Sequence, residues 1–472
     1  MNKVMVVTDK DLVWNYLGYG LTFGSNIILL PLVLRYLTSS ELGLWYVFSS
    51  IGVLVTLFDF GFAPQLTRMI TYAFAGASEW TKAGIKKISK STSPNYELLG
   101  NIVSFSKLFY FIIAALSFIF LLIFGSVYIK HISNNGLNNN IVAAWIIYCL
   151  GCFFNLAYST YNIVLKGIGK FVTLNKAIVL SRITQFLVSF VLLIFDFGIL
   201  AIAIGYTVNT LVYRLYLAFF IRRHHFFAAK FNFLEPKFIE SIQLWKIVWH
   251  NASRDGLVSI SNYLVLQSNT ILCSLYFGLE KTGAYALSVQ IITFIASFST
   301  ILYSTIQPIL VEASLTHNMA VKKQYFSLSW TIFILTFVIV ILLFAGFGIP
   351  FVTAIKSNTR IELGIFLLVA FYVFLQTNST LSASYISTSN KLPYALPFII
   401  SAISAVILSV IFAKYTQFGL YGLILAHLFV QLLYNVWKWP LVVFRELNTN
   451  PLRMFLDSFI LIRNNYLVKV FW

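Results

Sequence analysis

The chain has 472 residues, of which 59% are hydrophobic and only 10% are charged, and its formal net charge is +18. Soluble proteins carry about 25% charged residues, because a surface that faces water needs them. The composition therefore excludes a soluble globular protein and indicates an integral membrane protein.

Twelve apolar runs are long enough to cross a bilayer, which requires about 20 mostly apolar residues per helix. The first six predicted spans cover residues 12–34, 42–64, 107–129, 141–164, 173–195 and 199–220. The second six cover residues 247–274, 284–311, 326–350, 363–388, 394–413 and 419–438. The sequence therefore predicts an all-α integral membrane fold with about twelve transmembrane helices.

The spans fall into two sets of six, which predicts two lobes. The expected division is an N-terminal lobe at 1–222, a cytoplasmic linker at 223–246, a C-terminal lobe at 247–438 and a cytoplasmic tail at 439–472. The chain holds no G-x-x-x-x-G-K-[ST] phosphate loop, no loop longer than roughly 40 residues and no cluster of metal ligands. These features argue against an enzyme, and they predict no cofactor and no metal.

The basic residues give the orientation. If the N-terminus is cytoplasmic, 25 of the 33 lysines and arginines lie in inside segments and 6 lie outside. This bias matches the enrichment of basic residues in cytoplasmic loops. It predicts cytoplasmic termini and explains most of the net charge without a nucleic-acid partner. The two remaining basic residues, Arg182 and Arg254, fall inside predicted spans.

The two halves resemble each other weakly. A shift of 240 aligns Leu37–Trp45 with Phe277–Tyr285, and both segments are short outside turns that lead through a glycine into the next helix. A shift of 221 aligns Phe197–Gly198 with Phe418–Gly419. Because six helices is an even number, both halves start in the same orientation, which predicts a parallel pseudo-repeat.

Polar residues form stripes on several predicted spans, as expected if the helices line a shared hydrophilic cavity. The alternative for each stripe is polar contact between packed helices. The stripes comprise Asn15, Thr22 and Asn26 in the first span, Asn175, Arg182, Gln185 and Ser189 in the fifth, Asn251, Arg254, Asp255, Asn262 and Asn269 in the seventh, Gln290 through Gln307 ending at Glu312 in the eighth, and His427, Gln431 and Asn435 in the twelfth.

Several ionisable residues leave two interpretations open. Arg254 and Asp255 are either cavity groups or a structural ion pair, and His427 either titrates or packs. Asp59 is either a coupling-ion site or a cap to an inside loop. It is too far from Arg68 to pair along a continuous helix, so pairing would need a backbone break near Gly61 or Pro64.

Six segments carry a resemblance to a known family: Tyr16–Gly20, Pro31–Leu37, Glu41–Trp45, Leu57–Phe62 with Arg68, Lys166–Lys170 and Phe418–Gly422. Together they resemble Wzx-type O-antigen flippases, the polysaccharide transporter branch of the MATE/MOP flippase superfamily. The resemblance implies a MATE-like fold in a bacterial inner membrane. It also implies that undecaprenyl-diphosphate-linked oligosaccharide units move from the cytoplasmic to the periplasmic leaflet by alternating access, for lipopolysaccharide biosynthesis.

The implied partners are that lipid-linked oligosaccharide, membrane lipid, and an O-antigen polymerase with its chain-length regulator. An anionic diphosphate would be attracted by the cavity cations Arg182, Arg254, Arg214 and Lys176. A proton or sodium gradient could drive transport, with Asp59, Asp255, Glu312 and His427 as candidate titrating groups. Two alternatives stay open: a drug or cation antiporter of the same fold, which should carry excess cavity carboxylates, and a non-transporting scaffold of a polysaccharide assembly complex.

Overall fold

The computed structural model describes residues 29–74, 80–81, 84–85, 94–133, 138–223, 238–315, 317–355, 361–388 and 392–463. The chain divides into two compact units, Met1–Tyr263 and Leu264–Trp472. The division falls inside one long helix, Phe238–Tyr276, which also begins within the predicted linker.

The described part of the first unit is helical apart from one pair of very short strands. Residues 29–36 are helical. They are followed by α1 (Ser39–Leu57), α2 (Phe62–Phe74), the antiparallel strands β1 (Trp80–Thr81) and β2 (Gly84–Ile85), α3 (Tyr96–Phe120), α4 (Ser126–Ile132), α5 (Asn139–Ala157), α6 (Ser159–Gly167), α7 (Phe171–Ile194), α8 (Ile199–Arg223) and the first part of α9 (Phe238–Tyr276).

The described part of the second unit is entirely helical. After the end of α9 come α10 (Leu279–Ser299), α11 (Ile301–Leu315), α12 (Met319–Leu343), α13 (Ile349–Ile355), α14 (Leu363–Ser387), α15 (Ala395–Tyr415), α16 (Leu420–Leu433), α17 (Asn435–Glu446) and α18 (Pro451–Arg463). Two five-residue π-helical segments, Leu121–Gly125 and Phe344–Gly348, join α3 to α4 and α12 to α13.

Ten helical stretches among the described residues are long and apolar enough to cross a membrane. They coincide with predicted spans two to six and eight to twelve. The seventh predicted span lies within α9, and most of the first lies outside the described residues. The predicted all-α integral membrane class is therefore confirmed.

The internal repeat is visible in the lengths of matching elements. Each unit contains a 25-residue helix, a five-residue π-helical segment and a seven-residue helix in direct succession. The side chains of Asn95 and Asn318 cap the two 25-residue helices by accepting hydrogen bonds from Leu98 N and Val321 N. The aligned glycines Gly198 and Gly419 both have positive φ, at 53° and 57°. These matches support the parallel pseudo-repeat predicted from the sequence.

Four of the predicted spans are interrupted, whereas the hydropathy pattern predicts continuous helices. The second ends at Leu57 and is followed by a turn in which Phe60 and Gly61 have positive φ. Single residues interrupt the fourth, eighth and twelfth spans, at Tyr158, Thr300 and Tyr434. No proline or glycine stands at these three positions, so the sequence carries no local signal for the interruptions.

The predicted tail is largely folded. Helices α17 and α18 pack against α12, where Ser458 is fully buried and accepts a hydrogen bond from the Thr331 hydroxyl at 3.0 Å. The Trp330 ring contacts Phe444 and Phe455, with centroids 5.7 and 5.3 Å apart. The continuous apolar run ends near residue 438. The hydropathy pattern did not indicate this packing, because α17 and α18 are amphipathic and carry their apolar residues on one face.

Candidate functional site

Some predicted site residues lie outside the part of the chain that the structure describes. For Asn15, Thr22 and Asn26 the backbone is not described, and for Asn251, Arg254, Asp255 and Glu312 the side chains are not described. Their roles stay predictions from the sequence. The site is therefore built from the residues whose side chains the structure places.

Arg214 is the centre of a polar cluster inside the first unit. It lies on α8 and is 7% exposed. Its Nη2 donates to Asn155 Oδ1 at 2.6 Å and to Ser159 Oγ at 3.4 Å. The interruption between α5 and α6 brings the Tyr158 carbonyl within 3.4 Å of Nη1. The Nε atom is buried and has no hydrogen-bond partner among the described residues.

The groups around Arg214 are neutral or positive. Its guanidinium carbon lies 5.1 Å from the centre of the Tyr213 ring, a cation–π contact. It interacts electrostatically with the phenols of Tyr110 and Tyr206 and with the Lys166 ammonium. No carboxylate of the described residues forms an ion pair with it. Burying a cation without a paired anion costs free energy of desolvation. The presence of Arg214 in the interior therefore marks a candidate functional site.

Arg182 extends the cluster along α7. Its side chain is half-buried, and Nη1 donates to Gln185 Oε1 at 3.0 Å. Tyr206 interacts electrostatically with both Arg182 and Arg214, so one phenol lies near two guanidinium groups. We call Arg182, Arg214, Asn155, Gln185 and Tyr206 the cationic cluster. Helices α7 and α8 approach closely at Gly205, where a Cβ atom would meet Ser189.

Asp59 supplies a carboxylate that Tyr110 connects with the surroundings of Arg214. Both carboxylate oxygens accept the backbone N–H of Ala63 at 3.2 Å, so Asp59 caps the start of α2. A short hydrogen bond joins the same carboxylate to the Tyr110 hydroxyl. Asp59 therefore caps a helix rather than an inside loop, and Tyr110 connects it with the surroundings of Arg214. Its role as a coupling-ion site stays a prediction.

Other predicted site residues have different environments. Lys176 is exposed, and Asn262 and Gln290 are half-buried. His427 is fully buried; its Nδ1 lies 3.3 Å from the Tyr372 hydroxyl, and its Nε2 has no partner among the described residues. Gln431 accepts a hydrogen bond from Asn435 at 3.0 Å, which also donates to Ser401. Gln431 therefore takes part in helix packing across the Tyr434 interruption.

The sequence patterns missed three members of this environment. Tyr110 and Tyr206 occur in apolar runs, where tyrosine is common as an interfacial or packing residue. Asn155 is an amide inside the fourth predicted span, which is the signal that could have found it. Among the described residues, no group of three or more His, Cys, Asp or Glu side chains could hold a metal ion.

No family model and no curated protein matches the sequence. Solved structures do match the fold. An inward-facing multidrug resistance MATE family transporter of the MOP superfamily is 15% identical with a TM-score of 0.61, covering 94% of this chain and 97% of that one. A MOP superfamily transporter from Pyrococcus furiosus is 13% identical, with a TM-score of 0.59 and coverages of 93% and 96%.

The lipid II flippase MurJ, in an inward closed conformation, is 14% identical with a TM-score of 0.65. The match covers 98% of this chain and 93% of that chain. At these identities the similarity concerns the fold, over nearly the full length of both chains. The chain therefore has the fold of the MOP superfamily transporters.

Proposed function

We propose that the protein moves undecaprenyl-diphosphate-linked oligosaccharide units from the cytoplasmic to the periplasmic leaflet of a bacterial inner membrane, by alternating access. The observation that carries this proposal is Arg214, a buried guanidinium without an ion-pair partner among the described residues. Arg182, near the same phenol, adds a second positive charge.

The charge of the cationic cluster fits a diphosphate. Guanidinium groups bind phosphate oxygens through paired, charge-assisted hydrogen bonds, which are stronger than hydrogen bonds between neutral groups. In the described structure Arg214 uses neutral acceptors only: Asn155, Ser159 and the Tyr158 carbonyl. An incoming diphosphate would offer the full negative charge that these acceptors lack. The amides and phenols of the cluster suit the hydroxyl groups of a sugar.

The fold is compatible with this substrate class, since one of the similar solved structures is a lipid II flippase. The resemblance of Glu41–Trp45 and Leu57–Phe62 to O-antigen flippases narrows the proposal to polysaccharide units. A proton or sodium gradient is the proposed energy source. Of the two described candidates for the titrating group, Asp59 and His427, we favour Asp59, because Tyr110 joins it to the surroundings of Arg214.

A drug or cation antiporter is the alternative within the same fold. A site for a cation needs carboxylates in excess, as the substrate itself is positive. In the described surroundings of Arg214, the one negative charge of Asp59 compares with the three positive charges of Arg182, Arg214 and Lys166. The Asp59 carboxylate also already caps α2 and binds Tyr110. The balance of charge therefore favours an anionic substrate.

Replacing Arg182 with alanine tests the proposal in cells that depend on this gene for surface polysaccharide. One charge-assisted hydrogen bond contributes about 1.5–3 kcal/mol, so we expect polysaccharide export to fall about 10- to 100-fold at unchanged protein level. Arg182→Lys should retain part of the activity. Lys414→Ala, which removes an exposed cation from the end of α15, serves as the control. Normal export by Arg182→Ala would count against the cationic cluster as the substrate site.

A further inference from the structure

The joint between α17 and α18 borders a cavity of about 350 Å³ that is open to the surface. Asn448, in the left-handed region with φ of 46°, ends α17, and the Asn450 side chain caps α18 by accepting from Arg453 N at 2.8 Å. Phe444 and Arg445 on α17 and Thr449 in the joint line the same cavity. The cavity thus lies between two helices that are fixed by their own terminal hydrogen bonds.

The polar groups of this cavity suit an anion. Arg445 is exposed, and none of the described carboxylates forms an ion pair with it. The Thr449 hydroxyl is buried and has no hydrogen-bond partner among the described residues. The neighbouring carboxylate of Glu446 is engaged elsewhere, by Lys322 at 2.5 Å and by the Tyr385 hydroxyl at 3.0 Å. The Arg445 guanidinium is therefore the charged group that this cavity offers to a ligand.

An apolar stripe continues from the cavity along α18. Leu452, Leu456 and Phe459 are 76%, 63% and 51% exposed and recur at the spacing of one helix face. The opposite face is docked, since Met454 and Ser458 are fully buried. Arg453 stands exposed beside the stripe. An apolar helix face with a cation beside it is typical of an element that lies in a membrane interface, and the described acidic residue of α18, Asp457, is paired with Lys323.

We propose that the α17–α18 joint binds the phosphodiester headgroup of an anionic phospholipid, whose acyl chains lie along Leu452, Leu456 and Phe459. Arg445, which lines the cavity, and Arg453, in the first turn of α18 beside it, are the headgroup ligands. A free phosphate would use only these polar groups, whereas a phospholipid uses them together with the adjacent apolar stripe. This site is separate from the cationic cluster of the first unit, and it does not depend on the proposed transport activity.

The test uses the purified full-length protein in a neutral detergent. Binding of phosphatidylglycerol, of phosphatidylcholine with the same acyl chains, and of inorganic phosphate is measured by native mass spectrometry and by thermal unfolding. An arginine near an anionic headgroup contributes about fivefold to binding, so we expect R445Q/R453Q to raise the Kd for phosphatidylglycerol roughly 30-fold. Phosphatidylcholine binding should change little, and R445K/R453K should retain most of the phosphatidylglycerol affinity.

Two controls separate the site from general surface charge and from misfolding. R222Q/R223Q removes two exposed arginines from the end of α8 and should change the Kd much less. L452S/L456S/F459S should weaken both lipids without changing the secondary structure. The proposal is overturned if R222Q/R223Q and R445Q/R453Q weaken phosphatidylglycerol equally, or if inorganic phosphate alone reproduces the full thermal shift.

Discussion

Replacing Arg214 with methionine is expected to abolish translocation while leaving the thermal stability of the protein unchanged or higher. The two effects separate because Arg214 is a buried charge without an ion-pair partner among the described residues. Methionine removes the desolvation cost of the unpaired charge, whereas it leaves the acceptors on Asn155 and Ser159 without their donor, and we expect the first effect to be at least as large as the second. Loss of its charge-assisted hydrogen bonds to a diphosphate should reduce transport by about 100-fold or more.

Transport of the lipid-linked oligosaccharide and the unfolding temperature in detergent are both measured on the same variants. Arg223→Met is the matched control, because it makes the same change on the same helix at an exposed position. Arg214→Lys keeps the positive charge. A lysine ammonium lacks the planar guanidinium that contacts Asn155, Ser159 and the Tyr158 carbonyl at once, so we expect partial transport activity. A stable Arg214→Met protein with normal transport would contradict the role assigned to the cluster.

Glu446→Gln is expected to be the most destabilising single change among the charged residues of the second unit. Lys322 is almost fully buried and pairs with Glu446 at 2.5 Å, and its ammonium lies 4.7 Å from the centre of the Tyr385 ring. Losing the carboxylate leaves that ammonium buried without an anion. The Glu446 side chain is 38% exposed and solvent screens part of the interaction, so we expect the free energy of unfolding to fall by about 2 kcal/mol.

The neighbouring pair supplies a control. Lys323 and Asp457 are joined at 3.3 Å, but their side chains are 35% and 44% exposed. Asp457→Asn should therefore change the free energy of unfolding by less than about 1 kcal/mol. The double variant K322M/E446Q should recover much of the loss, because it removes the buried charge as well. Equal unfolding midpoints for Glu446→Gln and Asp457→Asn in the same detergent would refute this account of α12 and α17.

The membrane fold was largely predictable, since bilayer thickness imposes long apolar runs that a sequence displays directly. The spacing of Arg182 and Gln185 predicted that both lie on one helix face, and they are hydrogen-bonded at 3.0 Å. The interruptions at Tyr158 and Tyr434 were not predictable, because no helix-breaking residue stands at either position. Pro440, by contrast, lies inside α17 without ending it.

The environment of Arg214 could not be predicted from its own helix. Its partners come from elements distant in sequence: Asn155 on α5, Ser159 on α6 and Tyr110 on α3. A tyrosine in an apolar run, such as Tyr110 or Tyr206, is usually interpreted as a packing residue. Only the tertiary arrangement shows that its hydroxyl lies near a guanidinium or a carboxylate. The folded C-terminal helices were missed for a related reason, as their apolar residues follow a helical period rather than a continuous run.

The most direct test of the proposed transport reconstitutes the purified protein into vesicles whose diphosphate-linked oligosaccharide lipid is confined to the inner leaflet. Exposure of the sugar on the outer leaflet is followed with a membrane-impermeant lectin. We predict protein-dependent appearance of the sugar that is lost in Arg214→Met and retained in Arg223→Met. Equal appearance in protein-free vesicles and in vesicles with the unmodified protein would contradict the proposal, as would normal transport by Arg214→Met.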